Sequence, residues 1–192
     1  MLYESKNNKL LKSTIIGVIF IIIVGSLLHF TYKLSNNNPI VGLFSPINES
    51  VWEHLKMAVF ASIFYIIFEY KFVKDYAKNY FFAKALASLS TMIVIPILFY
   101  IYTSFTGKSI LFIDILIYIV ACIIWGIINY KITSSKTIYP NINGLGIILL
   151  LIIVLSFFIF TIAPLNLPIF KENLNTPNGL LIITNLVNNL NI

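Results

Sequence analysis

The sequence predicts an all-α integral membrane protein in which five transmembrane helices form one bundle. Of its 192 residues, 59% are hydrophobic and only 10% are charged, and the mean hydropathy is +0.92. About a quarter of the residues of a soluble domain are charged, so this chain has too few charges to cover a water-facing surface. All 13 basic residues are lysines, scattered near the ends of apolar segments. This pattern is typical of membrane topology and argues against nucleic acid as a partner, despite the net charge of +6.

Five apolar segments predict the helices, and together they make a transmembrane domain over residues 1–163. The segments cover about 13–32, 50–70, 85–103, 110–130 and 146–163. A helix needs about 20 residues to cross a hydrocarbon core of roughly 30 Å. The second segment is the least apolar, because its uninterrupted apolar part covers only residues 57–68. Residues 164–192 contain three prolines and form a predicted tail outside the membrane.

The positions of the lysines predict the orientation in a cell membrane. If all five segments cross, nine lysines lie on one side, namely Lys6, Lys9, Lys12, Lys71, Lys74, Lys78, Lys84, Lys131 and Lys136. Three lie on the other side, namely Lys33, Lys108 and Lys171. An excess of lysine marks the cytoplasmic side. The N-terminus is therefore predicted to be cytoplasmic and the C-terminus extracytoplasmic, with the lipid bilayer as the main partner.

An unusual group of charged residues lies where the second helix is expected to begin, in the stretch "NNNPIVGLFSPINESVWEHLKMAVF" at residues 36–60. Three asparagines and a proline indicate a turn. Ser45 followed by Pro46 predicts the helix start, because serine can accept a bond from a free N–H and proline at the first position needs no partner. Glu49 would then lie in the first turn and share one face with Lys56. We expect these two residues to form an ion pair.

Glu53 and His54 are the predicted catalytic residues. They lie about 100° apart around the helix, so they can flank one groove. Charged groups inside membrane segments are costly unless they face the protein interior, and they commonly mark functional sites. Trp52 is expected to be an anchor in the outer aromatic belt. Glu69, next to Lys71 at the other end of the helix, is expected at the solvated interface.

Two other ionisable residues are expected at the same depth as Glu53 and His54. His29 lies about one turn before the outer end of the first segment, and Asp114 lies a similar distance inside the fourth. The sequence therefore predicts a polar pocket in the outer half of the bundle, formed by the first, second and fourth segments. The four predicted metal ligands are His29, Glu53, His54 and Asp114.

Three chemistries fit this predicted pocket. Zinc or another divalent metal could bind the nitrogen and oxygen ligands and activate water for hydrolysis of a lipid or a headgroup. The same groups could instead relay protons or cations in a small transporter that binds a small molecule or ion. A haem between His29 and His54 is a third possibility. It would be bound non-covalently, because the chain has no C-x-x-C-H motif. A scaffold or sensor needs none of these chemistries, and the metal-assisted hydrolase is the preferred hypothesis.

The stretch "LLHFTYKLSNNNPIVGLFSPINESVWEHLKM" resembles the signature of an uncharacterised family of small bacterial membrane proteins, found mainly in Firmicutes. The matching pattern is N-P-x-V-G-x-F-x-P-x-N-E-S-x-W-E-H-L-K. The later stretch "PLNLPIFKENLNTPNGL" is similar to the Pro/Gly-rich tail of that family. The resemblance implies a polytopic protein of the bacterial inner membrane and no particular activity. It singles out five residues, namely Asn48, Glu49, Trp52, Glu53 and His54.

Overall fold

The part of the chain that the structure describes contains helices and no strand. The computed structural model describes residues 2–137 and 141–172. The helices are α1 (Leu2–Leu34), α2 (Pro39–Gly42), α3 (Val51–Val73), α4 (Tyr80–Thr106), α5 (Leu111–Thr133) and α6 (Ile142–Ile162), followed by a 3-10 helix at Pro168–Phe170. The prediction of an all-α protein is confirmed. Residues 173–192 of the predicted tail lie outside the described residues.

Five of these helices, α1 and α3 to α6, are long and apolar enough to cross a membrane. The shortest, α6, has 21 residues, which corresponds to roughly 30 Å at about 1.5 Å per residue. Several helices extend beyond the predicted segments, most clearly at the start of α1. Hydropathy detects only the part of a helix that suits hydrocarbon, whereas the backbone hydrogen bonds continue into polar sequence. The fold is that expected of a multi-pass membrane protein.

Helix α3 lies at the centre of the bundle. It packs against α1, α4 and the 3-10 helix, while α5 packs against both α1 and α4, and α6 packs against α4. In the most apolar window of α3, 61% of the residues are buried, compared with 17–28% in the other four spans. The polar side chains of α3 can therefore face other helices, which explains why its hydropathy is the lowest of the five.

The turn between α1 and α3 forms as its sequence predicts. Asn36 and Asn37 have φ angles of 56° and 59°, in the left-handed region that asparagine tolerates better than most residues. Asn38 then caps the short helix α2, because its side-chain oxygen accepts a hydrogen bond from the N–H of Ile40 at 2.9 Å. Pro39 occupies the first helical position, where no N–H is needed. These residues return the chain towards the start of α3.

Trp52 lies in the protein core and not in an outer aromatic belt. Its ring packs against Phe157 and Phe160 of α6, at 4.8 and 5.5 Å between centroids, and against Phe170 of the 3-10 helix at 4.9 Å. The prediction of an interfacial anchor is wrong. The position of Trp52 along α3 indicates its depth in the membrane, but it does not show that two distant segments of the chain cover the ring.

The beginning of the predicted tail is held against the N-terminal end of α3. Ser50 and Glu172 form an isolated antiparallel β-bridge, and the 3-10 helix at Pro168–Phe170 packs on α3. Residues 168–172 therefore contact the end of α3 at which His54 lies.

Candidate metal centre

His54 lies in the first turn of α3 with one ring nitrogen already engaged. Ser50 caps this helix, so α3 begins at Val51 and not at the predicted Ser45–Pro46 start. His54 Nδ1 lies 2.9 Å from the carbonyl oxygen of Ser50. A carbonyl only accepts hydrogen bonds, so Nδ1 donates, and in the neutral ring Nε2 keeps its lone pair. Metal-binding histidines are oriented in the same way, by a bond from the other ring nitrogen.

Two further side chains, one from α1 and one from the turn before α3, face His54. Glu49 Oε2 lies 3.3 Å from His54 Nε2. The ring centroids of His29 and His54 are 5.2 Å apart, with the ring planes tilted by 35°. One ligand atom from each of the three residues lies within 4.8 Å of the other two. We call these residues the His29–Glu49–His54 cluster.

The cluster combines an ionised carboxylate with an unsatisfied ring nitrogen. The hydrogen bond with His54 lowers the pKa of Glu49 below its ordinary value, although partial burial opposes the shift. Glu49 is therefore anionic at neutral pH. His29 Nδ1 is buried and has no hydrogen-bond partner among the described residues. A buried polar atom left in this state costs about 1–3 kcal/mol, which an ion or a water molecule at this nitrogen would relieve.

Asp114, one of the predicted ligands, lies beside the cluster and not in it. Its carboxylate accepts a hydrogen bond from the Tyr102 hydroxyl. The Tyr102 oxygen in turn accepts a bond from the N–H of Ile110 at 3.1 Å. Asp114 is close enough to His54 for their charges to interact. Within residues 2–137 and 141–172, however, Asp114 does not join the group of ligand atoms that lie within 4.8 Å of one another.

Glu53, the other carboxylate among the predicted ligands, forms an ion pair with Lys56. Lys56 Nζ lies 2.6 Å from Glu53 Oε2 and donates to the carbonyl oxygen of Gly42 at 2.7 Å. Glu53 also accepts a hydrogen bond from the N–H of Ile47 at 3.0 Å. The expected pair of Glu49 with Lys56 is wrong, because Glu49 precedes α3 and therefore has no place on its helical wheel. We call the Glu53–Lys56 pair the clamp, because it ties α3 to the segment before it.

The family of unknown function DUF6512 matches residues 1–180 of the 192-residue chain. The chain belongs to DUF6512. No curated protein and no solved structure matches it. The DUF6512 match includes both the His29–Glu49–His54 cluster and the clamp.

A second buried ion pair in this DUF6512 protein escaped prediction from the sequence. Glu69 is only 5% exposed and pairs with Lys84, which is fully buried. The Glu69 carboxylate also accepts hydrogen bonds from Ser13 at 2.6 Å and from Tyr80 at 2.9 Å, and the Lys84 ammonium lies 4.7 Å from the centre of a Trp125 ring. The expectation that Glu69 lies at a solvated interface is wrong. We call the Glu69–Lys84 pair, with Ser13 and Tyr80, the Glu69 network.

A sequence signal for the Glu69 network does exist. Ser62, Tyr65 and Glu69 recur at spacings of three and four residues, which places them on one face of α3. All three side chains are buried. A polar stripe of this kind inside a span indicates a face turned towards other helices. The neighbouring Lys71 led to the wrong expectation for Glu69, because a lysine two residues later suggested that the helix had already left the membrane.

Proposed function

We propose that this protein is a membrane-embedded hydrolase that holds a divalent metal, with zinc the best fit, in the His29–Glu49–His54 cluster. The proposal depends above all on one observation, that two imidazoles and one carboxylate place a ligand atom each within 4.8 Å of the other two. Two histidines and one glutamate form one of the protein ligand sets of catalytic zinc sites, which keep a fourth position open. Zinc in such a site lowers the pKa of a bound water molecule to about 7 and so supplies a nucleophile.

The residues around the cluster support this assignment. The hydrogen bond from His54 Nδ1 to Ser50 fixes the ring. Nε2 bonds to Glu49 while it carries a proton, and in the neutral ring its lone pair can bind a metal. Asp114, held by Tyr102, is a carboxylate near the cluster that can accept a proton from water or return one to a leaving group. In this proposal Asp114 changes from a ligand to a general base or acid. Glu53 has no part in metal binding and instead positions the segment that carries Glu49.

The depth of the cluster favours a lipid or headgroup substrate. His29 lies five residues before the end of α1, or roughly 8 Å at about 1.5 Å per residue. His54 lies in the first turn of α3. Both positions correspond to the boundary between hydrocarbon and headgroups. A scissile bond in a lipid headgroup would therefore lie at the depth of the cluster while the lipid stays in the membrane.

A haem fits this arrangement less well than a single cation. A haem held by His29 and His54 would need its flat macrocycle between the two imidazole rings. The ring centroids of His29 and His54 are only 5.2 Å apart, with the planes tilted by 35°, which leaves no room for a macrocycle ligated on both faces. An anionic oxygen beside two imidazole nitrogens is instead a suitable ligand set for a small divalent cation such as zinc.

Zinc titration of the chelator-treated protein in detergent tests the proposal. We expect one equivalent of zinc to bind and to raise the midpoint of thermal unfolding, because a ligand that binds only the folded state stabilises it by about 2.7 kcal/mol at 100 times its Kd. Magnesium at the same concentration should have little effect, since imidazole ligands favour zinc. Failure to bind zinc, with an unchanged unfolding midpoint, would refute the metal site.

We also propose that the N-terminus is cytoplasmic and that the cluster faces the opposite side of the membrane. Two lysines, Lys56 and Lys84, are fully buried and so give no information on orientation. Eight lysines remain at one end of the bundle, namely Lys6, Lys9, Lys12, Lys71, Lys74, Lys78, Lys131 and Lys136. Three remain at the other end, namely Lys33, Lys108 and Lys171. This asymmetry supports a cytoplasmic position for the first group.

Cysteine labelling in intact cells tests the orientation without changing any charge. Thr106 and Ser135 are exposed residues at opposite ends of the bundle. We expect Thr106→Cys to react with a membrane-impermeant maleimide, and Ser135→Cys to react only after permeabilisation. The wild-type protein is the control, because Cys122 is buried. Labelling of Ser135→Cys in intact cells, without labelling of Thr106→Cys, would reverse the proposed orientation.

A proton- or cation-coupled transporter is the second candidate, and the Glu69 network favours it. The network lies near the opposite end of α3 from His54 and links an ion pair to hydroxyl groups of Ser13 and Tyr80. Ionisable groups inside membrane spans commonly form ion and proton pathways. Proton or cation flux into proteoliposomes by a protein that binds no zinc would favour transport over hydrolysis.

A further inference from the structure

A groove between α1 and α3 lies at the end of the bundle opposite the metal cluster. Its volume is about 560 Å³, and its lining includes two lysines, Lys9 and Lys12, and three apolar residues, Ile16, Phe68 and Phe72. All five side chains are exposed at the outside of the bundle. We call it the α1–α3 groove.

The described residues that line the α1–α3 groove carry a net positive charge. Glu69 is the one carboxylate among them, and its charge is balanced by the buried ammonium of Lys84. Glu69 is further satisfied by the hydrogen bonds from Ser13 and Tyr80. Lys9 Nζ donates to the hydroxyl of Tyr76 at 3.4 Å, but neither Lys9 nor Lys12 forms an ion pair among the described residues. Their charges can therefore attract an anion that enters the groove.

The charged and apolar parts of the groove lie in the order that a phospholipid requires. Ile16 lies one helical turn deeper in α1 than Lys12. On α3, whose chain runs in the opposite direction, Phe68 lies one turn deeper than Phe72. The lysines thus lie at the mouth, at the level of headgroups, and the exposed apolar side chains continue towards the bilayer centre. A phosphate next to the lysines would place its acyl chains along this apolar wall.

We propose that the α1–α3 groove is a binding site for an anionic phospholipid. The phosphate contacts Lys9 and Lys12, and an acyl chain packs against Ile16, Phe68 and Phe72. Basic pockets between transmembrane helices recognise anionic headgroups in this way. Neither the identity of the metal nor the hydrolase proposal enters this inference, because none of the cluster residues lines the groove.

Native mass spectrometry of the detergent-purified protein tests this site. Dimyristoyl phosphatidylglycerol is titrated against dimyristoyl phosphatidylcholine, which has the same acyl chains and a zwitterionic headgroup. We expect the wild type to bind the anionic lipid more tightly than the zwitterionic one. The variant Lys9→Gln/Lys12→Gln should bind the anionic lipid roughly 30-fold more weakly, since each lysine near an anionic lipid surface contributes about 1 kcal/mol and about 1.4 kcal/mol corresponds to a tenfold change in affinity. The matched control is Lys71→Gln/Lys74→Gln, which removes two exposed lysines at the same end of the bundle but outside the groove lining.

Three outcomes would overturn the proposal. Equal binding of the two lipids by the wild type would mean that the groove does not distinguish an anionic from a zwitterionic headgroup. An equal loss in the control variant would mean that the overall surface charge, and not this groove, attracts the lipid. Competition by glycerol phosphate at the same concentration as the lipid would identify a site for a soluble anion, in which the apolar wall has no role.

Discussion

Glu53→Gln is expected to lower the free energy of unfolding by about 3–5 kcal/mol, and Lys56→Met by a similar amount. The side chains of Glu53 and Lys56 are 4% and 0% exposed, and their charged atoms lie 2.6 Å apart. Removing the carboxylate leaves a buried ammonium whose remaining partners are two backbone carbonyl oxygens, those of Gly42 and Ser45. Removing the ammonium leaves a buried carboxylate. After each single change the remaining buried charge has lost its ion-pair partner, so the cost of its desolvation is no longer offset.

A double-mutant cycle separates a clamp from two independent contacts. Glu53→Gln/Lys56→Met removes both charges, so its loss should be smaller than the sum of the two single losses. Glu49→Gln is the matched control, because this carboxylate is 27% exposed and its pair with His54 should contribute no more than about 1 kcal/mol. The measurement is unfolding of the purified protein in detergent. Strictly additive losses, or single variants as stable as Glu49→Gln, would show that the clamp does not hold the fold together.

The number of long apolar helices could be predicted from the sequence, because it follows from local properties. Apolar runs of about 20 residues reveal membrane spans whatever their neighbours are. The second span nearly escaped prediction, since α3 has the lowest hydropathy of the five. Its crossing followed from the lysine distribution instead. The structure gives the physical reason for the low hydropathy, which is that α3 is central and its polar side chains face other helices.

Of the four predicted ligands, His29 and His54 lie in the His29–Glu49–His54 cluster, and Glu53 and Asp114 do not. His29 and His54 lie together as expected, because both positions depend only on depth along a helix. Glu53, and not Glu49, pairs with Lys56, and Glu49 contacts His54, because the helix starts at Val51 and not at Pro46. The later start removes Glu49 from the helical wheel and leaves the angles among Glu53, His54 and Lys56 unchanged. Ser50, and not Ser45, caps α3. Ser50 also forms the bridge with Glu172, a contact between distant segments that local sequence does not specify.

Loss of either histidine is expected to weaken zinc binding by at least about 100-fold, the upper end of the effect seen for residues that only support a ligand. His29→Ala and His54→Ala each remove one of the three atoms that lie within 4.8 Å of one another. Asp114→Asn is the informative control, because Asp114 lies beside the cluster and its carboxylate is held by Tyr102. We expect this variant to keep one equivalent of zinc with less than about a tenfold change in affinity, and to lose hydrolysis if Asp114 transfers a proton. Loss of zinc in Asp114→Asn comparable to the loss in His54→Ala would restore Asp114 as a ligand.

The pH dependence of zinc binding provides a second test of the same cluster. Zinc binds neutral imidazole, so protons compete with it at both histidines, and the affinity should fall as the pH is lowered from 7 to 5. Glu49 should not add to this loss at mildly acidic pH, because its pKa already lies below the ordinary value through its bond with His54. With two histidine ligands, the fall should approach about 100-fold per pH unit, and in His29→Ala the weaker residual binding should fall by only about tenfold per unit. Isothermal titration at a series of pH values measures both slopes. A zinc affinity that did not change between pH 7 and pH 5 would mean that the histidines are not ligands, since no imidazole nitrogen can hold a proton and a metal ion at the same time.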